Sequence, residues 1–119
     1  MRHWKLSDIV TPDGSRSPVV LHSRDGEARV VLIELKSGQE LGEHQVKEGA
    51  FVLVVDGEVR VEAGSDSVTA TTGELFHFDA DERRSVASER GARVLLVLAP
   101  WPGQGHYRGG DGPAPRNVG

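Results

Sequence analysis

The feature that most constrains the fold of this chain is a series of short apolar runs. Turns that contain glycine or aspartate separate these runs. The runs follow one another at short intervals, and no segment keeps a helical period for three turns. Strands at such spacing are typical of antiparallel sandwiches and barrels. The pattern therefore predicts an all-β fold with little or no helix. The runs are PVVLH (18–22), ARVVLIEL (28–35), AFVLVV (50–55), EVRVEA (58–63), SVTAT (67–71), ELFHF (74–78), RSVAS (84–88) and RVLLVLA (93–99).

The turns between these runs have a chemical basis. Glycine adopts a positive φ at no steric cost, and Asp and Ser side chains bond to their own backbone. Asp56-Gly57, within VDGEV, fits the type I′ turn of a two-residue hairpin. The runs on either side of it are therefore predicted to form two hairpin strands.

Length, charge and cysteine usage limit the classes of function. A chain of 119 residues is long enough for one domain. The net charge of −4 argues against nucleic acid as a partner, since binding to phosphates needs a basic surface. No apolar run approaches the roughly 20 residues of a membrane span. With no cysteine and no apparent secretory signal at the start, a cytoplasmic location is expected.

The composition changes along the chain and suggests three parts. Residues 1–27 are predicted to be an N-terminal arm with the first strands, and residues 28–101 the barrel core. Residues 102–119 are rich in Gly and Pro and are predicted to be a disordered extension.

Two glycine-bounded segments carry a characteristic spacing. In the first, Gly38 precedes His44 by five intervening residues, and Gly57 closes the segment. The second begins at Gly73, after a gap of 15 residues. This spacing resembles the two motifs of small single-domain cupins, a family of RmlC-like jelly-roll β-barrels. The resemblance covers roughly residues 28–99 and implies an antiparallel jelly-roll barrel.

The residues at the chemically important positions depart from the family pattern. Carried over position by position, the four metal-ligand places of cupins fall on His44, Val46, Ala50 and Arg84. Only His44 can ligate a metal, because Val and Ala have no lone pair and a guanidinium stays protonated. This departure from the family pattern predicts that no metal is bound, and no other cofactor is expected. Asp79 and Asp81 also stand where the family has Pro and Gly.

Two further residues leave an alternative site open. His77 shares one face of its strand with Leu75, whereas Phe76 and Phe78 share the other. A non-standard metal site could combine His44, His77 and a carboxylate such as Glu34. Separately solvated or hydrogen-bonded histidines are the simpler interpretation.

These observations favour a metal-free protein that binds a small, possibly anionic molecule in its barrel, with no assigned catalytic residue. The expected cavity residues are His44, Val46, Ala50, Arg84 and His77. One alternative is an enzyme, either a metal-dependent oxygenase or isomerase with a non-standard site, or a metal-free isomerase. Another is an interaction module whose cavity is filled by Phe76, Phe78 and Trp101. A homodimer is expected, as is usual for the family that the sequence resembles.

Overall fold

The fold is built almost entirely of antiparallel β-strands. The computed structural model describes residues 1–11, 18–41 and 46–103. Within these ranges the only helical element is a 3₁₀ turn, Leu6–Asp8, and there is no α-helix. The all-β prediction is confirmed. The strands are β1 (Pro18–Ser23), β2 (Glu27–Leu35), β3 (Gly49–Ala63), β4 (Asp66–Thr71), β5 (Leu75–Phe78), β6 (Ser85–Ala87) and β7 (Ala92–Trp101).

The long strand β3 links the two halves of the barrel. Neighbouring strands follow the order β1-β2-β7-β3-β4, and β5 and β6 also pair with β3. The first half of β3 pairs with β7 and β5, and its second half pairs with β4 and β6. One strand therefore contributes to both sheets, and the antiparallel jelly-roll architecture agrees with the prediction.

The predicted hairpin at Asp56-Gly57 is wrong, because the chain continues through these residues as one strand. The pairing of β3 with β7 shifts in register between Val54 and Asp56, where the strand bulges. Gly57 adopts a φ of 91°, and a Cβ at this position would lie 2.4 Å from the Gly91 carbonyl oxygen. The glycine signal therefore marks a bulge with a close backbone approach, rather than a chain reversal.

The core lies between the inward faces of the strands, which alternate with period two. Val31, Ile33 and Leu35 point inward from β2, as do alternate residues of β3 and β7. Trp101 at the end of β7 is fully buried and belongs to the same cluster. The aromatic ring therefore closes one end of the core.

The C-terminal extension lies mostly outside the part of the chain that the structure describes. Of the predicted extension 102–119, the structure describes Pro102 and Gly103, so the prediction of disorder lies outside the described residues from 104 on. Within the described part of the chain, no helix has the length and apolar character needed to span a membrane.

Candidate functional site

One row of inward-facing residues crosses the barrel near the start of β3. Arg29 on β2 pairs with Leu98 on β7, Leu98 pairs with Ala50 on β3, and Ala50 pairs with Phe78 on β5. Directly paired residues of an antiparallel ladder project from the same face. Since Ala50, Leu98 and Phe78 are buried in the core, the row forms a largely apolar layer with Arg29 at one end.

Arg84 lies at the other end of this layer. Residues 84, 86 and 88 are all buried, so Arg84 continues the inward alternation of β6. Its side chain is only 5% exposed, and its Cζ atom lies 5.3 Å from the centre of the Phe78 ring. The sequence-predicted residues Ala50 and Arg84 are thus brought together across one aromatic ring.

The Arg84 guanidinium has no hydrogen-bonding partner among the described residues. Its Nη1 atom is buried without any partner, and the loss of hydration lowers the pKa of Arg84 from its usual value. The Glu82 carboxylate acts in the opposite direction. A guanidinium nevertheless remains protonated at neutral pH. The barrel therefore contains a buried positive charge that lies over a hydrocarbon ring.

The loop between β5 and Arg84 is joined to the segment before β3 by a hydrogen bond and an ion pair. The Asp81 N–H donates to the Val46 carbonyl oxygen at 2.7 Å, and the Lys47 Nζ atom lies 2.8 Å from Asp81 Oδ1. Asp81 has a φ of 67°, in the left-handed region that Asp tolerates better than most residues. The resemblance to cupins implies a Gly at this position, and a positive φ is the conformation that Gly adopts without strain.

Val46 and Ala50, the two apolar residues at expected ligand positions, both belong to the core region. Val46 is half-buried and packs against the core, and Ala50 is completely buried within it. Neither side chain can ligate a metal, and the adjacent guanidinium repels cations. The described residues at the family's ligand positions therefore do not fit a metal ion.

His44 falls outside the described residues, as does the segment around it, 42–45. Across the described ranges, no group of three or more His, Asp or Glu side chains is arranged to hold a metal ion. The proposed convergence of His44 with other ligands stays a prediction.

His77 lies on the outer face of β5, away from Ala50 and Arg84. Its side chain is 48% exposed, and its Nδ1 atom lies 3.9 Å from Asp79 Oδ1. Its ring contacts the Phe51 ring, with 4.8 Å between centroids. Because Phe76 and Phe78 point inward, the two-residue period of a strand turns His77 outward. The structure therefore does not bring His77 together with the interior residues.

Glu34, the carboxylate considered for an alternative site, also lies on the outer face. It accepts a hydrogen bond from the Thr11 hydroxyl, which is the main cause of its lowered pKa. The positive charges of Lys36 and Arg93 act in the same direction. Glu34 pairs with Arg93 on β7. His77 pairs with Phe51, which in turn pairs with Val97, and Val97 lies four residues beyond Arg93 on the same strand. Glu34 and His77 are therefore roughly 13 Å apart along the strand direction.

A polar depression on the protein surface borders this region. It encloses about 400 Å³, and the residues that line it include charged ones of both signs, among them Glu34, Lys36 and Arg93. Glu34 Oε2 lies 3.7 Å from Lys36 Nζ, and Glu34 Oε1 lies 4.0 Å from Arg93 Nε. These partly exposed charges are in reach of each other and of water, in contrast to Arg84.

Two other buried charged groups were not identified as site residues from the sequence. Arg29 donates to Ser23 Oγ at 3.1 Å, and its Cζ atom lies 5.1 Å from the Trp101 ring centre. Glu48 is buried, and its Oε2 atom accepts from the Gly103 N–H at 2.7 Å. The position of Arg29 was detectable, since residue 29 is in phase with the inward residues 31, 33 and 35. Glu48 precedes its strand and carries no periodic signal.

Comparisons with known proteins agree with this architecture. A family model described as "Cupin domain" matches residues 31–98, which is more than half of the chain. No protein with a curated description matches the chain.

Many solved structures share the fold. A protein from Thermus thermophilus is 21% identical, with a TM-score of 0.73, over 84% of this chain and 98% of that one. An RmlC-like cupin from Desulfovibrio desulfuricans is also 21% identical, with a TM-score of 0.72, over 84% and 96%. An uncharacterised protein with a double-stranded β-helix domain from Klebsiella pneumoniae is 19% identical, with a TM-score of 0.73, over 84% and 90%. At these identities the similarity concerns the fold alone.

Proposed function

Because the chain belongs to the cupin domain family, whose barrels enclose an interior lined by inward-facing side chains, we propose that it binds a small anionic molecule there through Arg84, without a metal ion. The observation that carries this proposal is the Nη1 atom of Arg84, which is buried and has no hydrogen-bonding partner among the described residues. Family membership does not identify the ligand, since the similar structures include proteins described as uncharacterised.

The energetic argument begins with the cost of an isolated buried charge. Removing a charged group from water costs several kcal/mol unless a partner compensates for it. Glu82 does not bond to the guanidinium: it is exposed, and its Oε1 atom accepts from the Asp79 N–H at 2.9 Å. A ligand with a negative charge would supply the missing partner for Arg84.

The residues around the charge also support anion binding without a metal. Val46 and Ala50 are apolar at the positions where the resemblance to cupins implies metal ligands, and Arg84 disfavours a cation. An anion is attracted by the same guanidinium, in a setting of low dielectric constant where Coulombic interactions are strong. Arginine is suited to this role because its planar N–H groups bind oxyanions through paired hydrogen bonds.

The proposal is tested by thermal unfolding of the purified protein, without a histidine tag, in a panel of small anions. Acetate, benzoate, phosphate and succinate are compared with neutral benzamide at constant ionic strength. At least one anion is expected to raise the unfolding temperature, because a ligand that binds only the native state stabilises it. Arg84→Met should abolish the increase while leaving the arginine stem's volume filled.

Arg60→Met provides a matched control for the loss of one positive charge. Arg60 is half-exposed on β3, near Glu62 and Glu89, so this variant should respond to the anions as the unaltered protein does. If no anion stabilises the protein, or if Arg84→Met retains the full response, Arg84 is not an anion-binding residue and the proposal fails.

A further inference from the structure

We infer that the anion bound by Arg84 is a monocarboxylate attached to an apolar body, such as an aromatic or aliphatic acid. This inference rests on the proposed function and narrows the class of ligand. It follows from the number of charges at the site, from the shape of the guanidinium, and from the side chains that surround it.

The charge at this end of the layer favours a ligand with a single negative charge. Arg84 contacts the Phe78 ring, whereas Arg29 contacts the Trp101 ring and donates to Ser23. Arg29 and Phe78 are separated across the sheet by β7 and β3, a span of roughly 14 Å at ordinary strand spacing. The two guanidinium groups therefore contact different rings and are carried by different parts of the barrel, and we take Arg84 as the one positive charge at the ligand.

A monocarboxylate matches this charge better than a phosphate ester does. A phosphate monoester carries about −1.5 to −2 at neutral pH. One guanidinium would leave part of that charge uncompensated in a buried setting, which is unfavourable. A carboxylate carries one negative charge, and its two oxygens match the paired N–H groups of arginine in the same plane.

The surrounding side chains favour an apolar body. Phe78 lies beneath the guanidinium, and the Phe76 ring stacks nearly parallel to it, with 6.3 Å between centroids and 9° between planes. Ala50 pairs with Phe78 across the sheet, and Val46 packs against the same core cluster, so both add aliphatic groups to it. None of these four side chains can form a hydrogen bond with a hydroxyl group, so a sugar-like ligand would lose its hydration without compensation.

Four probes that differ in one property at a time test the inference by titration calorimetry. Benzoate combines one charge with an apolar ring. Benzamide keeps the ring and removes the charge, acetate keeps the charge and removes the ring, and phenyl phosphate keeps the ring and changes the anion. Benzoate is expected to bind most tightly. Benzamide should bind about 10- to 100-fold more weakly because it loses a charged hydrogen bond, and acetate about 50-fold more weakly because it loses apolar contact.

Variants of Arg84 separate charge from geometry. Arg84→Met is expected to abolish binding of benzoate, and Arg84→Lys to weaken it about tenfold, because lysine keeps the charge but lacks the planar fork. Arg60→Met should not change the affinity. Far-UV circular dichroism of each variant without ligand establishes that the fold is retained.

The outcomes distinguish the inference from the function on which it rests. If phosphate or phenyl phosphate binds through Arg84 as tightly as benzoate or more tightly, the monocarboxylate inference is overturned and anion binding stands. Equal affinities for benzoate and acetate would also overturn it, since the apolar body would then contribute nothing. If none of the probes, and none of the anions used in thermal unfolding, binds in an Arg84-dependent manner, both proposals fail.

Discussion

Two arginines are buried in the interior to nearly the same extent but have different surroundings. Arg29 and Arg84 are 6% and 5% exposed, and each guanidinium lies over an aromatic ring, at 5.1 and 5.3 Å from the ring centre. Arg29 donates to a serine hydroxyl. Arg84 makes no hydrogen bond or ion pair with any described side chain, and its Nη1 atom is completely buried.

The comparison teaches that burial of a charge does not by itself indicate a binding site. A buried arginine that stacks on a ring and donates a hydrogen bond can be explained by the fold alone. A buried guanidinium that makes no hydrogen bond with any described residue through any of its nitrogen atoms reduces stability, and its presence needs a reason outside the folded chain. Arg29 therefore belongs to the architecture of the barrel, and Arg84 is the better candidate for contact with a ligand.

The largest effect is expected from Trp101→Ala, which removes the ring beneath Arg29. Trp101 is fully buried in the core, and truncation of such a residue lowers the free energy of unfolding by about 3–5 kcal/mol. Urea unfolding measures the loss. Trp4→Ala is the control, because Trp4 is exposed on the N-terminal arm and its loss should change stability by less than about 0.5 kcal/mol. Equal effects would mean that Trp101 does not anchor this end of the barrel.

Gly103→Ala should have the next largest effect, because it disturbs the segment that carries Trp101. A Cβ at residue 103 would lie 2.3 Å from the Lys47 carbonyl oxygen. The backbone would have to move away from Glu48, and the resulting strain is expected to cost about 2 kcal/mol. Gly49→Ala is milder, with a closest contact of 3.2 Å to the Ala99 carbonyl oxygen. Chemical denaturation of both variants checks this order, and the reverse order would contradict the assigned contact.

The comparison itself is tested by replacing each arginine with methionine. Arg29→Met loses its bond to Ser23 and its contact with Trp101, so the free energy of unfolding should fall by about 1–2 kcal/mol. Arg84→Met removes an uncompensated charge and should raise it by about 1 kcal/mol in the absence of ligand. Parallel urea titrations measure both changes. A clear loss of stability in Arg84→Met would mean that the guanidinium has a structural partner.

A smaller, pH-dependent effect is expected at Glu34, on the outer face. The Thr11 hydroxyl and the nearby cations lower the pKa of Glu34 below its usual value of 4.5. The folded state therefore binds this proton less tightly than the unfolded state does, so the stabilisation is present above pH 4.5 and is lost as the pH falls through the folded-state pKa. Glu34→Gln should flatten this part of the acid unfolding profile. An unchanged profile between pH 2 and 5 would exclude Glu34 as a contributor.

The smallest effect on stability is expected at Leu75, on the outer face of the strand that carries Phe78. Leu75 is 60% exposed and Phe51 is 43% exposed. Leu75→Ser should change the free energy of unfolding by less than about 0.5 kcal/mol. If the predicted homodimer uses this face, the same substitution should shift the molar mass measured by light scattering toward the monomer. A protein that is already monomeric at all concentrations would contradict the dimer prediction.

The sequence was sufficient to predict the all-β class because alternating apolar runs leave few other ways to bury a core. It did not distinguish a turn from a bulge at Asp56-Gly57. Both structures need a glycine with positive φ, and only the pairing with β7 separates them. Local turn chemistry therefore could not decide a question that depends on distant strands.

The candidate site was predicted in part. The positions of Ala50 and Arg84 followed from the resemblance to cupins, and the structure places them on either side of Phe78. The outward direction of His77 depended on whether Phe76 and Phe78 face the core, a question that tertiary packing settles. Glu48 was considered from the sequence only as a possible partner of Arg84; its burial could not be predicted, because it precedes its strand and its hydrogen-bonding partner Gly103 is 55 residues away in sequence.

The enclosure of Arg84 has a spectroscopic consequence. Side-chain N–H protons of exposed arginines such as Arg60 exchange rapidly with water near neutral pH, whereas protons enclosed by packed side chains exchange only when the surrounding structure opens. Arg84 should therefore give a guanidinium signal in ¹⁵N-resolved spectra that outlasts those of the surface arginines. The residue proposed to hold the ligand would then report on its arrival by its own resonance in the ¹⁵N-enriched protein, without any chemical tag on the protein or on the molecule it binds.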